Sequence, residues 1–175
     1  MNAWLILLRD LFLFRRGPSD VPYSLNLLTL LVATMVAIDA LAARMLPEQS
    51  GNNVLAILNN GVSLGLLYAL LRATGKTARF VQTANALLMV RVAMSLVTVL
   101  VLYLVSPIPQ RPEDLQPQQA LLMSMVLPLL IWYLALRVHI LRQALEVTLG
   151  RAFSVVIMIG AVEFLIGVTL AKAML

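Results

Sequence analysis

Residues 80–105 read FVQTANALLMVRVAMSLVTVLVLYLV and carry a single charge, Arg91. A hydrocarbon core of roughly 30 Å asks for about 20 predominantly apolar residues of helix, and this run exceeds that. It reads as a membrane-spanning helix. Four comparable segments flank it, at 24–46, 54–72, 119–141 and 149–173. The whole chain of 175 residues is 61% hydrophobic and 12% charged, with a mean hydropathy of +0.93. Such a composition cannot cover a water-facing exterior, so lipid must solvate much of it. The expected fold is all-α: one membrane domain over 1–175, a helix bundle with five transmembrane helices. Pro128, inside the fourth segment, is expected to mark a kink.

The N-terminal 1–16 behaves differently. The run Trp4 to Phe14 is too short to span, and Asn2, Arg9 and Arg16 recur on one helical face. This predicts an amphipathic helix lying in the interface. A signal peptide fits less well, because no Lys or Arg precedes the apolar run. Gly17-Pro18 breaks the helix, and Ser19 or Asp20 is expected to cap the next one.

The cations give an orientation. Arg9, Arg15, Arg16, Arg72, Lys76, Arg79, Arg137, Arg142 and Arg151 fall on one side, against Arg44, Arg111 and Lys172 on the other. The positive-inside rule then places the N-terminus in the cytoplasm and the C-terminus outside. All but Arg151 of the majority set are expected to meet lipid headgroups. The net charge of +5 is accounted for by this clustering and gives no reason to invoke nucleic acid. The opposite-side loop Ser106 to Gln119 is proline-rich and reads as a connector.

Motifs of catalysis are missing from the sequence. Gly75-Lys76-Thr77 resembles the end of a phosphate-binding loop, but position 70 is Leu and no strand precedes it. His139 stands alone, without the company a metal site needs, and neither Gly-x-Ser-x-Gly nor His-Glu-x-x-His occurs. Cysteine is absent. No enzyme, cofactor or metal is expected.

Three charges remain inside the spans: Asp39, Arg91 and Glu163. At 1.5 Å per residue they lie about 21, 16 and 18–21 Å from the basic side. Each costs roughly 2.5–3.5 kcal/mol at a helix centre, so one mutual cluster is expected, with Arg91 meeting Glu163 and Asp39 joining from the first span. Ser95 and Thr98 share the face of Arg91, and Gly160 and Gly167 flank Glu163, where small residues let another helix approach. Gln82 and Asn85 form a separate polar spot nearer the basic end.

Five spans, short loops, the opening Arg15-Arg16-Gly17-Pro18-Ser19-Asp20-Val21-Pro22-Tyr23-Ser24 and the passage from Trp132 through Arg137 to Ala152 resemble the Yip1 family, in its small bacterial inner-membrane form. The long soluble N-terminal region and the Asp-Leu-Tyr-Gly-Pro motif of eukaryotic members are missing, so Rab GTPase binding is not implied. The resemblance implies a non-enzymatic membrane protein that assembles with others or affects membrane organisation. The resulting expectation is an accessory or scaffold protein acting through helix–helix contacts, as a homo-oligomer or in a larger complex, with membrane lipids as its other partners. The competing expectation is a small proton-coupled transporter or channel centred on Asp39, Arg91 and Glu163. Lipid handling ranks third.

Overall fold

The computed structural model describes residues 3–45, 53–105 and 116–173. They form α1 (Ala3–Phe12), α2 (Leu25–Met45), α3 (Asn53–Ala73), α4 (Phe80–Val105), α5 (Pro117–Ser124), α6 (Val126–Leu145) and α7 (Leu149–Ala173). Helices α2, α3, α4, α5–α6 and α7 supply five stretches long and apolar enough to cross a membrane. The chain is an all-α bundle of five candidate spans with a short N-terminal helix. The proline-rich connector falls almost wholly outside the described residues.

The fourth span is two helices rather than one bent helix. Pro128 has no N–H to offer the carbonyl of Ser124, and its ring crowds that carbonyl. The regular bonding is interrupted there: the Met125 N–H turns back three residues to Leu122 O at 3.2 Å, and i→i−4 bonding resumes with Leu129 N–H to Met125 O at 3.3 Å. At its other end the span runs four residues past the expected 141, to Leu145, where Glu146 closes it in the left-handed conformation at φ 54°.

The spans pack in a ring: α2 against α4, α4 against α6, α6 against α7, α7 against α3, and α3 against α2. Since successive spans alternate in direction, α2 and α4 run parallel and the other four contacts are antiparallel. α4 and α7 stand on opposite sides of the ring, without extensive packing between them.

The end carrying the basic loops is tied together by hydrogen bonds and ion pairs. Lys76 Nζ donates to Leu145 O at 2.8 Å and to Glu146 Oε2 at 2.6 Å. Arg79 reaches Ala144 O at 3.3 Å and Glu146 Oε1 at 2.6 Å. The last carbonyls of α6 have no intrahelical donors, so cations there satisfy them and complement the helix dipole. Hydrogen bonds from Lys76 and then Arg79 hold the Glu146 carboxyl below its usual range. Lys76 and Arg79, expected to face headgroups, are therefore engaged by a carboxylate that sequence reading had left unassigned.

The N-terminal segment is docked by the polar spot on α4. Gln82 Nε2 donates to Val21 O at 3.3 Å, and Asn85 Nδ2 to Pro22 O at 3.3 Å and Ser24 O at 3.0 Å. The α2 cap is Ser24, whose Oγ accepts the Leu27 N–H at 3.2 Å. Asp20 instead accepts the Gly17 N–H at 2.8 Å, within a 3-10 turn over Pro18–Asp20.

α1 stops at Phe12, short of the expected 16. Phe14 adopts φ 58°, a conformation that costs a residue with a Cβ about 1–2 kcal/mol. Its ring sits 5.5 Å from Trp132 and 5.3 Å from His139, between centroids. Leu7 and Leu11 of α1 are buried with Met89, Val90 and Met94 of α4 and Leu136 and Ile140 of α6. One apolar face of α1 thus packs on the bundle, while Trp4 and Leu5 stay exposed. Asp10 is buried on the same helix. It is paired with Arg9 at 2.8 Å and Arg16 at 3.3 Å, and the hydrogen bond from Arg9 leads in lowering its pKa.

Candidate functional site

Helical periodicity builds a cavity between α3, α4, α6 and α7, mostly apolar in lining and set with a few charged and amide side chains. Residues spaced by three, four or seven positions share a helix face. Asn60, Ser63, Leu64 and Leu67 of α3, Leu87, Leu88 and Arg91 of α4, Tyr133, Arg137 and Leu141 of α6, and Gly160, Glu163 and Gly167 of α7 all face one space of about 630 Å³. Toward the basic end it is underlain by the buried side chains Leu67, Leu71, Ala84, Leu141 and Leu145. Phe164, 71% exposed, and Val168, 37%, also line it. Buried hydrocarbon closes the cavity toward the basic end.

Three charges, Arg91, Arg137 and Glu163, line the cavity, and Asp39 of α2 pairs with Arg91. Asp39 Oδ2 lies 3.6 Å from Arg91 Nη2 and accepts a hydrogen bond from Asn60 Nδ2 at 2.9 Å. Glu163 meets Arg137 through two contacts, Nη1 to Oε2 at 3.3 Å and Nη2 to Oε1 at 3.4 Å. The Arg137 guanidinium also lies 5.8 Å from the centre of the Tyr133 ring. All four side chains keep 17–29% of their exposure. These distances are longer than the 2.7–2.9 Å of tight charge-assisted bonds, so each pair is loose. Oδ1 of Asn59 and of Asn60 is buried without a hydrogen-bond partner.

The expected meeting of Arg91 with Glu163 does not occur, because α4 and α7 face each other across the cavity. Arg137, expected to be a headgroup cation, takes the place of Arg91. It lies eight residues from the end of α6, about 12 Å along the axis, while Glu163 is about 21 Å into α7. Every Cα–Cβ bond tilts toward its own helix N-terminus. α6 begins at the end opposite the basic loops and α7 at the basic end, so the two side chains lean toward each other and close the difference in depth.

The glycines serve a different purpose from the one expected. A Cβ at Gly160 would meet nothing within 4 Å, and one at Gly167 only Asn59 Oδ1 at 4.0 Å. Gly160 widens the cavity rather than admitting a helix. Ser95 and Thr98 do not line the cavity, and the Thr98 hydroxyl donates to its own helix at Met94 O, 3.1 Å. Asn59, Asn60, Ser63 and Tyr133 were missed by sequence reading. The adjacent asparagines lie 13 and 14 residues from the basic end of α3, about 20 Å in, the depth of Asp39 and Glu163.

Of the remaining expected headgroup cations, Arg9 and Arg16 pair with Asp10, and Arg72 and Arg142 are exposed. Arg15 is exposed as well, and its backbone N–H donates to Asp10 O at 2.9 Å. Among the described residues there is no group of three His, Cys, Asp or Glu that could hold a metal ion. Comparison with protein-family models, curated proteins and solved structures returns no match.

Proposed function

We propose that the chain is a small proton-linked carrier of a polar solute, with the cavity between α3, α4, α6 and α7 as its binding chamber. One observation carries this reading: two loose ion pairs and two unpartnered asparagine oxygens converge on one cavity at membrane depth. Ionisable side chains in a span mark substrate or proton paths when they face a cavity, because an unpaired charge in lipid is too costly to keep otherwise.

Glu163 is the proton acceptor. When it takes a proton its attraction to Arg137 falls, and the guanidinium is released toward the cavity. Arg91 stays anchored by Asp39, which Asn60 orients from α3. A solute with an anionic group then meets Arg137, and its donors meet Asn59 and Asn60. The apolar layer of Leu67, Leu71, Leu141 and Leu145 closes the path at the basic end, and a second state must part this layer to complete transport.

The helix-contact reading, which the resemblance to the Yip1 family also favours, draws on the lack of a soluble domain and of a catalytic set and on helix faces rich in small residues, that of α7 among them. Gly160 and Gly167 line the cavity, so the α7 face supports the carrier reading.

The test is proton flux in proteoliposomes loaded with a pH-reporting dye under an imposed pH gradient and a clamped potential. Native protein should relax the gradient faster than protein-free vesicles, and Glu163→Gln should return the rate to within twofold of the vesicle background. A native rate equal to that of protein-free vesicles, or an unchanged rate in Glu163→Gln, would overturn the proposal.

A further inference from the structure

A second feature lies on the outer side of α6, away from the central cavity. At the basic end, a polar pocket of about 600 Å³ is walled by Arg79, Gln82, Thr83, His139, Arg142 and Gln143. Adjoining it is a groove of about 580 Å³ between α6 and α7, lined by Phe14, Leu134, Val138, Phe153 and their apolar neighbours. His139 and Arg142 border both spaces.

The α6 contribution to the groove is a single stripe. Ile131, Leu134, Ala135, Val138, His139 and Arg142 follow one another by three, four or one positions, so they run along one helix face toward the basic end. The stripe is apolar for its first four members and ends in a guanidinium. Arg142 is exposed, and no ion pair engages it among the described residues. Arg79 and Arg142 wall the polar pocket with one carboxylate, Glu146, which is already paired with Arg79 and with Lys76 beside the pocket. A positive excess therefore stands at the level where lipid phosphates lie. Phe14, held in its left-handed conformation against His139 and Trp132, forms the far wall of the groove.

We infer that this composite surface binds one anionic phospholipid, with its phosphate on Arg142 and its acyl chain in the α6–α7 groove. Charge complementarity selects the headgroup, since a cationic pocket beside the spans attracts anionic lipid. The apolar stripe selects a chain-bearing ligand over a free anion, because burying hydrocarbon there adds favourable transfer energy that a bare phosphate cannot gain. The site shares no side chain with the central cavity and stands independently of the carrier reading.

The experiment is thermal unfolding of the detergent-purified protein, titrated with short-chain phosphatidylglycerol, with phosphatidylcholine of the same chain length, and with inorganic phosphate. Phosphatidylglycerol should give a saturable rise in Tm, with at least tenfold higher apparent affinity than either comparator. Arg142→Gln should lose at least tenfold of that affinity, and Ala135→Trp, which fills the groove while leaving the cations in place, should do the same. Arg151→Gln, which removes an exposed charge lining neither space, should bind as the native chain does. Equal shifts with phosphatidylcholine would overturn the headgroup assignment. Equal shifts with inorganic phosphate would overturn the lipid in favour of a soluble anion. Loss in Arg151→Gln as large as in Arg142→Gln would reduce the site to general surface charge and overturn it as well.

Discussion

The pairing of Arg137 with Glu163, rather than Arg91 with Glu163, can be tested by a double-mutant cycle on stability. The perturbation is Arg137→Met, Glu163→Gln and the two combined. At the observed separation of 3.3 Å, an effective dielectric of about 20 gives an attraction of about 5 kcal/mol before desolvation is counted. Partial exposure of the two side chains, 17% and 19%, and the cost of holding both charges at membrane depth offset much of this. A coupling of about 1–2 kcal/mol is expected, inside the 0.5–3 kcal/mol seen between contacting residues. Arg137→Met alone should be the most damaging, because it leaves a carboxylate unpaired in the bundle, and adding Glu163→Gln should recover part of the loss. The assay is reversible unfolding of the protein in mixed micelles by titration with a denaturing detergent, read by helix content. A parallel cycle with Arg91→Met serves as the control. Coupling below about 0.3 kcal/mol for Arg137 with Glu163, within the additivity expected of independent sites, would refute the pairing. So would a larger value for Arg91 with Glu163.

Because the chain contains no cysteine, single thiols report access without background. Ser63→Cys, lining the cavity, should react with a membrane-impermeant maleimide added from the side opposite the basic loops, while Leu71→Cys, in the closed layer, should stay unlabelled from both sides. The lowered pKa of Glu146 has a signed consequence. Its ion pairs support the fold above the ordinary carboxyl value of 4.5 and are lost as pH falls through the depressed folded value. The native protein should therefore lose Tm as pH falls from 4.5 toward the depressed value more steeply than Glu146→Gln, as followed by thermal unfolding across a pH series. Gly75 has φ +70° with open space around it, so Gly75→Ala should cost about 1 kcal/mol through backbone strain alone, measured in the same micelle titration.

The spans were legible because length and hydropathy are local properties, and four of the five ends nearest the basic loops fall within one residue of their expected positions. The exception decided the site. α6 continues through Arg142 to Leu145, since a helix does not stop where the hydrocarbon does, and the assumed end at 141 turned Arg137 from a buried partner into a loop cation. Depth was readable, as the band shared by Asp39 and Glu163 shows. Direction around the ring was not, because nothing in one sequence says that α4 turns Arg91 toward α2 while α7 packs on α6. Asn59 and Asn60 carried a readable signal, two polar residues in a span of mean hydropathy 1.2, the lowest of the five. Being uncharged, they did not stand out beside the ionisable residues. Glu146 and Asp10 became visible only once tertiary contacts brought cations to them.

The two ion pairs also differ in when they can form during synthesis. Glu163 emerges after Arg137 in the same helical hairpin, so its partner is already in place when it enters the bilayer. Asp39 belongs to the first hairpin, while Arg91 arrives only with the next span. In the interval its carboxylate has Asn60, 21 residues downstream, close enough to be inserted with it as one unit. The side-chain amide thus acts as a temporary host for an acid awaiting its counterion. Asn60→Leu should show itself first as poor membrane integration of the nascent chain and only second as a less stable mature protein.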